Sequence, residues 1–256
     1  MSTIIYESKE KVSYIRLNRP ERYNSLNQEM LDELLHALEE VEKNEDKILV
    51  LSGNGNAFCA GGDIGMMEDF AEKKFFDTVM ETVGKIAMKL YLMPKIVISA
   101  VQGSAAGLGL SLALAADYVI ARENAKLGML FIGIGLAPDG GGHFFLKERV
   151  GVNHAKQFIW GLKQLQAPQA KQMGIVDVVT ELQAGEEASS FAQKLLETPI
   201  QSMIQTKMIY HRAQKDTLQS YLEEEHRTQW ELRNTEDHKE GVSAFLEKRK
   251  PVFRGE

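Results

Sequence analysis

The chain has 256 residues, 44% of them hydrophobic and 26% charged, with a net charge of −6. That composition suits a globular protein with enough apolar mass for a large core, and the length suits one α/β domain with or without a small appendage. The acidic balance speaks against a nucleic-acid partner, and a single cysteine, Cys59, excludes a disulfide framework and thiolate metal clusters.

Met1 to Lys11 contains no apolar signal-like stretch. The longest apolar-rich run, Leu108 to Ala116, is too short to span a bilayer. The expectation is a cytoplasmic protein with no membrane partner, in a reducing compartment.

Along the chain, Val12 to Leu17 alternates apolar and polar residues and reads as a strand, ended by Asn18-Arg19-Pro20. Asn27 is placed to cap a helix carrying Met30, Leu31, Leu34, Leu35, Leu38 and Val41 at helical spacing. Ile48 to Leu51 is a short apolar strand running into the loop Ser52 to Asn56. A second cycle follows: a helix over 75–92, a buried strand over 95–101, and a helix over 108–116 that is apolar all round. Strands are then expected at 118–121 and 175–179, with a helical region over 153–173 between them. This alternation points to right-handed crossovers and mostly parallel pairing. From about Ala184 strand signals stop. Helices are expected at 185–197, 199–213, 216–233 and 236–248, as a cap, an oligomer contact or a closure of the core.

Two segments carry chemistry. Phe58-Cys59-Ala60-Gly61-Gly62-Asp63-Ile64 follows a strand and a Gly-rich loop. Small residues there let a ligand approach the backbone, and N–H groups freed by a turn attract anions; a plain tight turn capped by Asp63 is the competing reading. Val101 to Leu110 leaves a buried strand and enters a buried helix, whose first N–H groups suit a developing negative charge; close packing of helix on sheet wants the same small residues.

These segments, in order with Asn18-Arg19-Pro20, Asn24-Ser25-Leu26, Pro138-Asp139-Gly140-Gly141-Gly142 and Phe245 to Pro251, resemble the enoyl-CoA hydratase/isomerase family, the crotonase superfamily, over essentially the whole length. The resemblance implies an α/β fold: a spiral of ββα turns over 1–184 holding an acyl-CoA site, and a helical C-terminal oligomerisation part over 185–256. It implies a homotrimer or a hexamer built from two trimers. It implies an oxyanion hole formed by the N–H groups of Ala60 and Leu108. For substrate and coenzyme A it points to Arg22, Ser25, Gly61, Gly62, Asp63, Ile64, Gly107, Phe131, Pro138 and Lys248. Coenzyme A enters as part of the substrate; no permanently bound cofactor and no metal are implied.

Family hydratases carry two glutamates, and the matching positions here are Ser111 and Phe131, neither of which can act as a base near neutral pH. Asp139 remains, at a position where some family isomerases place a carboxylate. A single base suffices to isomerise a double bond. Pro138-Asp139-Gly140 is also turn chemistry, and an Asp before a helix is a good cap whose pKa would fall. His143, four residues on, is a candidate neighbour of Asp139. Three functions follow: double-bond isomerisation of an enoyl-CoA through Asp139; hydration of a 2-enoyl-CoA without the usual glutamates; or non-catalytic binding of an acyl thioester.

Overall fold

The computed structural model describes residues 2–67 and 69–256. Its strands are β1 (Ile4–Lys9), β2 (Val12–Leu17), β3 (Ile48–Gly53), β4 (Ile96–Val101), β5 (Ser104–Ala106), β6 (Tyr118–Arg122), β7 (Lys126–Gly128), β8 (Leu165–Gln166) and β9 (Val178–Thr180). Its helices are α1 (Gln28–Lys43), α2 (Lys73–Leu92), α3 (Leu108–Leu114), α4 (Gly142–Trp160), α5 (Ala167–Met173), α6 (Ala184–Leu196), α7 (Ile200–Ala213), α8 (Lys215–Arg233) and α9 (Glu236–Leu246).

The main sheet has the order β1-β2-β3-β4-β6-β9, parallel throughout except for the antiparallel β1–β2 pair. A second sheet, β5-β7-β8, stands apart from it. β3 and β4 are buried along their whole length, so their alternate residues serve two cores. Leu49, Leu51, Val97 and Val101 join one with α1, α2 and α3. Ile48, Val50, Ile96, Ile98 and Ala100 face the other, which α6 closes with Ala184, Ala188 and Ala192. Alanines four apart put a flat, small-residue stripe on that helix and let it lie close on the sheet.

Several sequence expectations meet the structure directly. Asn27 caps α1, its side chain accepting the Met30 N–H at 3.1 Å. α3 is buried on every side but stops at Leu114. β1 was not legible, because Ile4–Lys9 has only two leading apolar residues and pairs as an edge strand. The helical region expected over 153–173 is corrected in two ways. α4 begins earlier, at Gly142, and bends at Gly151, whose φ is +75°. It ends at Trp160, where Gly161 and the left-handed Leu162 turn the chain into β8 before α5 starts. The strand expected at 175–179 is shortened to 178–180, since Gly174 caps α5 in a left-handed conformation and Ile175 and Val176 are still packing into the core. Among the described residues, no helix is long and apolar enough to cross a membrane.

Candidate active site

Three segments lie side by side at the carboxyl end of β3 and β4. Residues 58–60 run along 102–106: the Phe58 N–H donates to the Gln102 carbonyl, Cys59 to Ser104, and Ala106 to the Cys59 carbonyl. On the other side the Leu26 N–H donates to Gly61, and Asp63 donates back to Leu26. Asn24, fully buried, fixes this loop by donating to the carbonyls of Asn54 and Ala57. Gly61 has φ +103°, and a Cβ there would sit 2.9 Å from the Ala106 oxygen and 3.6 Å from the Leu108 nitrogen. The two glycine-bearing segments are therefore in contact, and glycine is what permits the approach.

An inventory of N–H groups corrects one expectation. The Ala60 N–H already donates to the Tyr23 carbonyl at 3.0 Å, so it holds the loop and is not free for a ligand. The Gly61 N–H points to the Cys59 sulfur at 3.4 Å, and that of Asp63 is taken by Leu26. Among the described residues, the Gly62 N–H has no acceptor, and neither has that of Leu108, the first residue of α3. A short helix entered through Gly107, with no side-chain cap, leaves that donor open.

A cavity of about 430 Å³ opens in front of these donors. Ala60, Gly61, Gly62, Asp63 and Ile64 line one part of it, and Gly107, Leu108, Phe131 and Asp139 another. Arg22 and Lys248 lie outside it on the exposed surface, and Ser25 is half-buried in the loop before Leu26. Pro138 is buried and does not reach the cavity; it packs under Gly142, where an added Cβ would meet it at 3.2 Å. Among the described residues, no group of three or more His, Cys, Asp or Glu is placed to hold a metal ion.

Two carboxylates line the cavity, and their environments differ. Asp63 accepts from Arg19 at 2.9 Å and from the Gly65 N–H at 3.0 Å. Burial alone would raise its pKa, but these donors outweigh burial and hold it below the usual carboxylate range. Asp139 lines the cavity and is otherwise largely covered by protein. Its Oδ2 accepts from Gln229 at 3.1 Å, and among the described residues its buried Oδ1 has no partner. Burial first, and then the charge of Glu225, pushes its carboxyl up to about 8.

Asp139 does not cap α4. Gly140 and Gly141 both have positive φ, and the helix N-terminus is capped from across the molecule. Glu225, on α8, accepts the N–H groups of Gly141 at 2.7 Å and His143 at 3.1 Å, and also faces His143 Nδ1 at 2.9 Å. His143 is thereby a partner of Glu225 and not of Asp139. Gln229, one turn further along α8, also donates to the Ala137 carbonyl, so it holds the whole 137–139 segment.

A family model described as enoyl-CoA hydratase/isomerase matches residues 7–256. YhaR of Bacillus subtilis (strain 168), which carries the same family name, is 44% identical over 254 residues, covering 99% of this chain and all of its own length. The chain belongs to the enoyl-CoA hydratase/isomerase family. Two Escherichia coli (strain K12) relatives, 1,2-epoxyphenylacetyl-CoA isomerase and 2,3-dehydroadipyl-CoA hydratase, are each 35% identical and cover all of this chain and 99% and 100% of their own. A crystal structure of an enoyl-CoA hydratase from Mycobacterium avium subsp. paratuberculosis K-10 superposes with a TM-score of 0.90 at 29% identity, over 99% of both chains. The spiral crotonase fold is thus shared. Equal identity to an isomerase and to a hydratase leaves the choice of reaction to the residues of the site.

Ser111 is fully buried, with its Oγ 4.0 Å from the Met129 sulfur, and Phe131 presents a ring to the cavity. Glu225, Gln229, Arg233 and His238 were missed from sequence. The readable signal was on α8: Leu218, Leu222, Glu225 and Gln229 recur on one face, so the stripe that faces the core turns from apolar to polar.

Proposed function

We propose that this family member moves a double bond within an enoyl thioester, with coenzyme A as part of the substrate and no permanently bound cofactor. The observation that carries the reading is the single carboxylate with an unpartnered oxygen, Asp139, lining the same cavity as the unclaimed N–H groups of Gly62 and Leu108. The thioester oxygen accepts from those two donors. Asp139 in its charged form takes the proton from C2 of a 3-enoyl thioester, and the negative charge moves onto the thioester oxygen as a dienolate. Preorganised donors stabilise that charge by about 3 kcal/mol each. The same carboxyl then returns the proton to C4, so one base serves both steps and no water is consumed. Burial that raises the pKa of Asp139 strengthens it as a base for a carbon acid.

Hydration needs a second group to orient and deprotonate water, and the two positions that supply it in family hydratases hold a buried serine and a phenylalanine. The test is isomerisation of a 3-enoyl-CoA by wild type and Asp139→Asn. Equal turnover by the two proteins removes Asp139 from the mechanism. Water addition to a 2-enoyl-CoA at ordinary enzymatic rates overturns the choice of reaction. Acyl-CoA binding without exchange of the C2 proton overturns the enzyme reading.

A further inference from the structure

Beyond the reacting carbons, α2 lines the cavity with Phe76, Val79 and Met80, and Met66 and Phe70 continue the apolar wall. Arg233, the last residue of α8, breaks it, since it lines the same cavity. Its guanidinium carbon lies 5.2, 5.4 and 5.8 Å from the ring centroids of Phe70, Phe76 and Trp230. Nη2 donates once, to the Met67 carbonyl at 3.4 Å. Aromatic faces hold the cation but accept none of its in-plane N–H donors, of which arginine has several. Among the described residues no carboxylate pairs with it. Of the carboxylates that line the cavity, Asp63 pairs with Arg19 and Asp139 accepts from Gln229, and neither pairs with Arg233. Arg233 is partly buried, and that burial lowers its pKa.

The position of Arg233 gives this cation a purpose. Gln229 holds the base, and Arg233 follows four residues later on the same face of α8, about 6 Å further along the helix. A chain whose C2 and C4 face Asp139 extends past Gln229 towards Arg233. His238 lines this end too; its Nδ1 faces the Ile134 carbonyl at 2.8 Å, and burial, with a smaller push from Arg233, lowers its pKa, so it offers no opposing charge.

We propose that Arg233 reads the far end of the acyl chain, and that the preferred thioester carries a carboxylate there. The ligand class is the monothioester of a dicarboxylic acid. The proposal rests on reading the cavity as an acyl-thioester site, and it is independent of which reaction follows. A bidentate carboxylate would fill the open donors of the guanidinium with two charge-assisted hydrogen bonds, whereas a terminal methyl would offer them nothing and displace water from beside them.

The test measures binding of saturated thioesters by calorimetry, so that no turnover enters. Adipyl-CoA and hexanoyl-CoA form one pair, suberyl-CoA and octanoyl-CoA a longer one, and free coenzyme A is the reference. Wild type should bind the carboxylated member of at least one pair about tenfold or more tightly than its neutral partner. Arg233→Leu should reverse that order and leave free coenzyme A unchanged; Arg233→Lys should keep part of the preference. The proposal is overturned if wild type favours the neutral member of both pairs or neither. It is also overturned if Arg233→Leu weakens every ligand alike, as it would if Arg233 met the phosphates of coenzyme A. The wild-type comparison stands whether or not the variants fold. Failure of every thioester to bind would instead remove the acyl-thioester reading on which the proposal rests, whereas selective binding without isomerisation would leave Arg233 in place and remove only the proposed reaction.

Discussion

The two halves of the site are made of different material. The proposed thioester grip is backbone, from residues 58–63 and 104–108, fixed by neighbouring strands and by glycines that let the segments touch. The acid–base corner is side chains, with Asp139 in a loop before α4 and Glu225 and Gln229 arriving from α8. In the first half local conformation places the donors. In the second, α8 brings Gln229 to the 137–139 segment and Glu225 to the start of α4. Losing a side chain should therefore remove chemistry and spare binding, and moving a glycine should disturb the grip itself.

The largest effect is expected for Asp139→Asn. General acid–base catalysis is worth about 10²–10⁴ in rate, so isomerisation and C2 deuterium exchange should fall roughly a thousandfold. Acyl-CoA affinity should stay within a few-fold of wild type. A matching loss of affinity would mean that the two halves are not separable.

Gly61→Ala should break the other half. Its φ of +103° disfavours any side chain, and the new Cβ would press on the Ala106 oxygen at 2.9 Å, forcing the 60–62 segment away from α3. A misplaced donor costs about 3 kcal/mol, or roughly a hundredfold in kcat. The distinguishing sign is that the pH dependence of the residual activity stays that of wild type. A moved pH profile would show that the glycine also supports the acid–base corner.

The contrast also explains what could be read from the sequence. The grip was legible because small residues in fixed order after a strand report on backbone, and backbone geometry is local. Even so, Ala60 was named where Gly62 carries the free N–H, since only the structure reveals that the Tyr23 carbonyl has already taken the Ala60 donor. Asp139 could be named but not judged. As a cap for α4 its pKa would fall, and as a buried acid it would rise. What decides is Glu225, 86 positions away in the chain (225 minus 139), which does the capping and adds its charge. Such a pairing leaves no local pattern beyond the polar turn in the α8 stripe. α4 itself was misplaced for a related reason, because its start consists of glycines and a cap that comes from another helix.

A smaller effect separates the halves by pH. With Asp139 titrating near 8, kcat/KM should rise about tenfold per unit below that value and level off above it. Stability should run the other way. The folded protein keeps a proton that the unfolded chain releases near 3.8, so stability should fall as pH rises from about 4 to about 8 and flatten beyond. Each unit of that window is worth about 1.4 kcal/mol. Denaturant midpoints for wild type and Asp139→Asn across this range check it, and the variant should lack the slope. Identical slopes would assign it to other groups.

Glu225→Gln should give the smallest change and the sharpest one. The two carboxylate oxygens accept separately from Gly141 and His143; glutamine keeps one such oxygen, so α4 retains half of this cap and loses the favourable charge. Removing the like charge beside Asp139 favours its ionised form, and the rising limb of kcat/KM should move to lower pH. The move should stop well short of the ordinary carboxylate range, because burial is the first cause of the shift and is unchanged. Affinity for acyl-CoA and the plateau rate should hardly alter, since Glu225 touches neither the thioester grip nor the cavity wall. A limb that stays near 8 would mean that burial alone sets the base. A limb that falls all the way would make the docking of α8, through one charge, the main control on the chemistry.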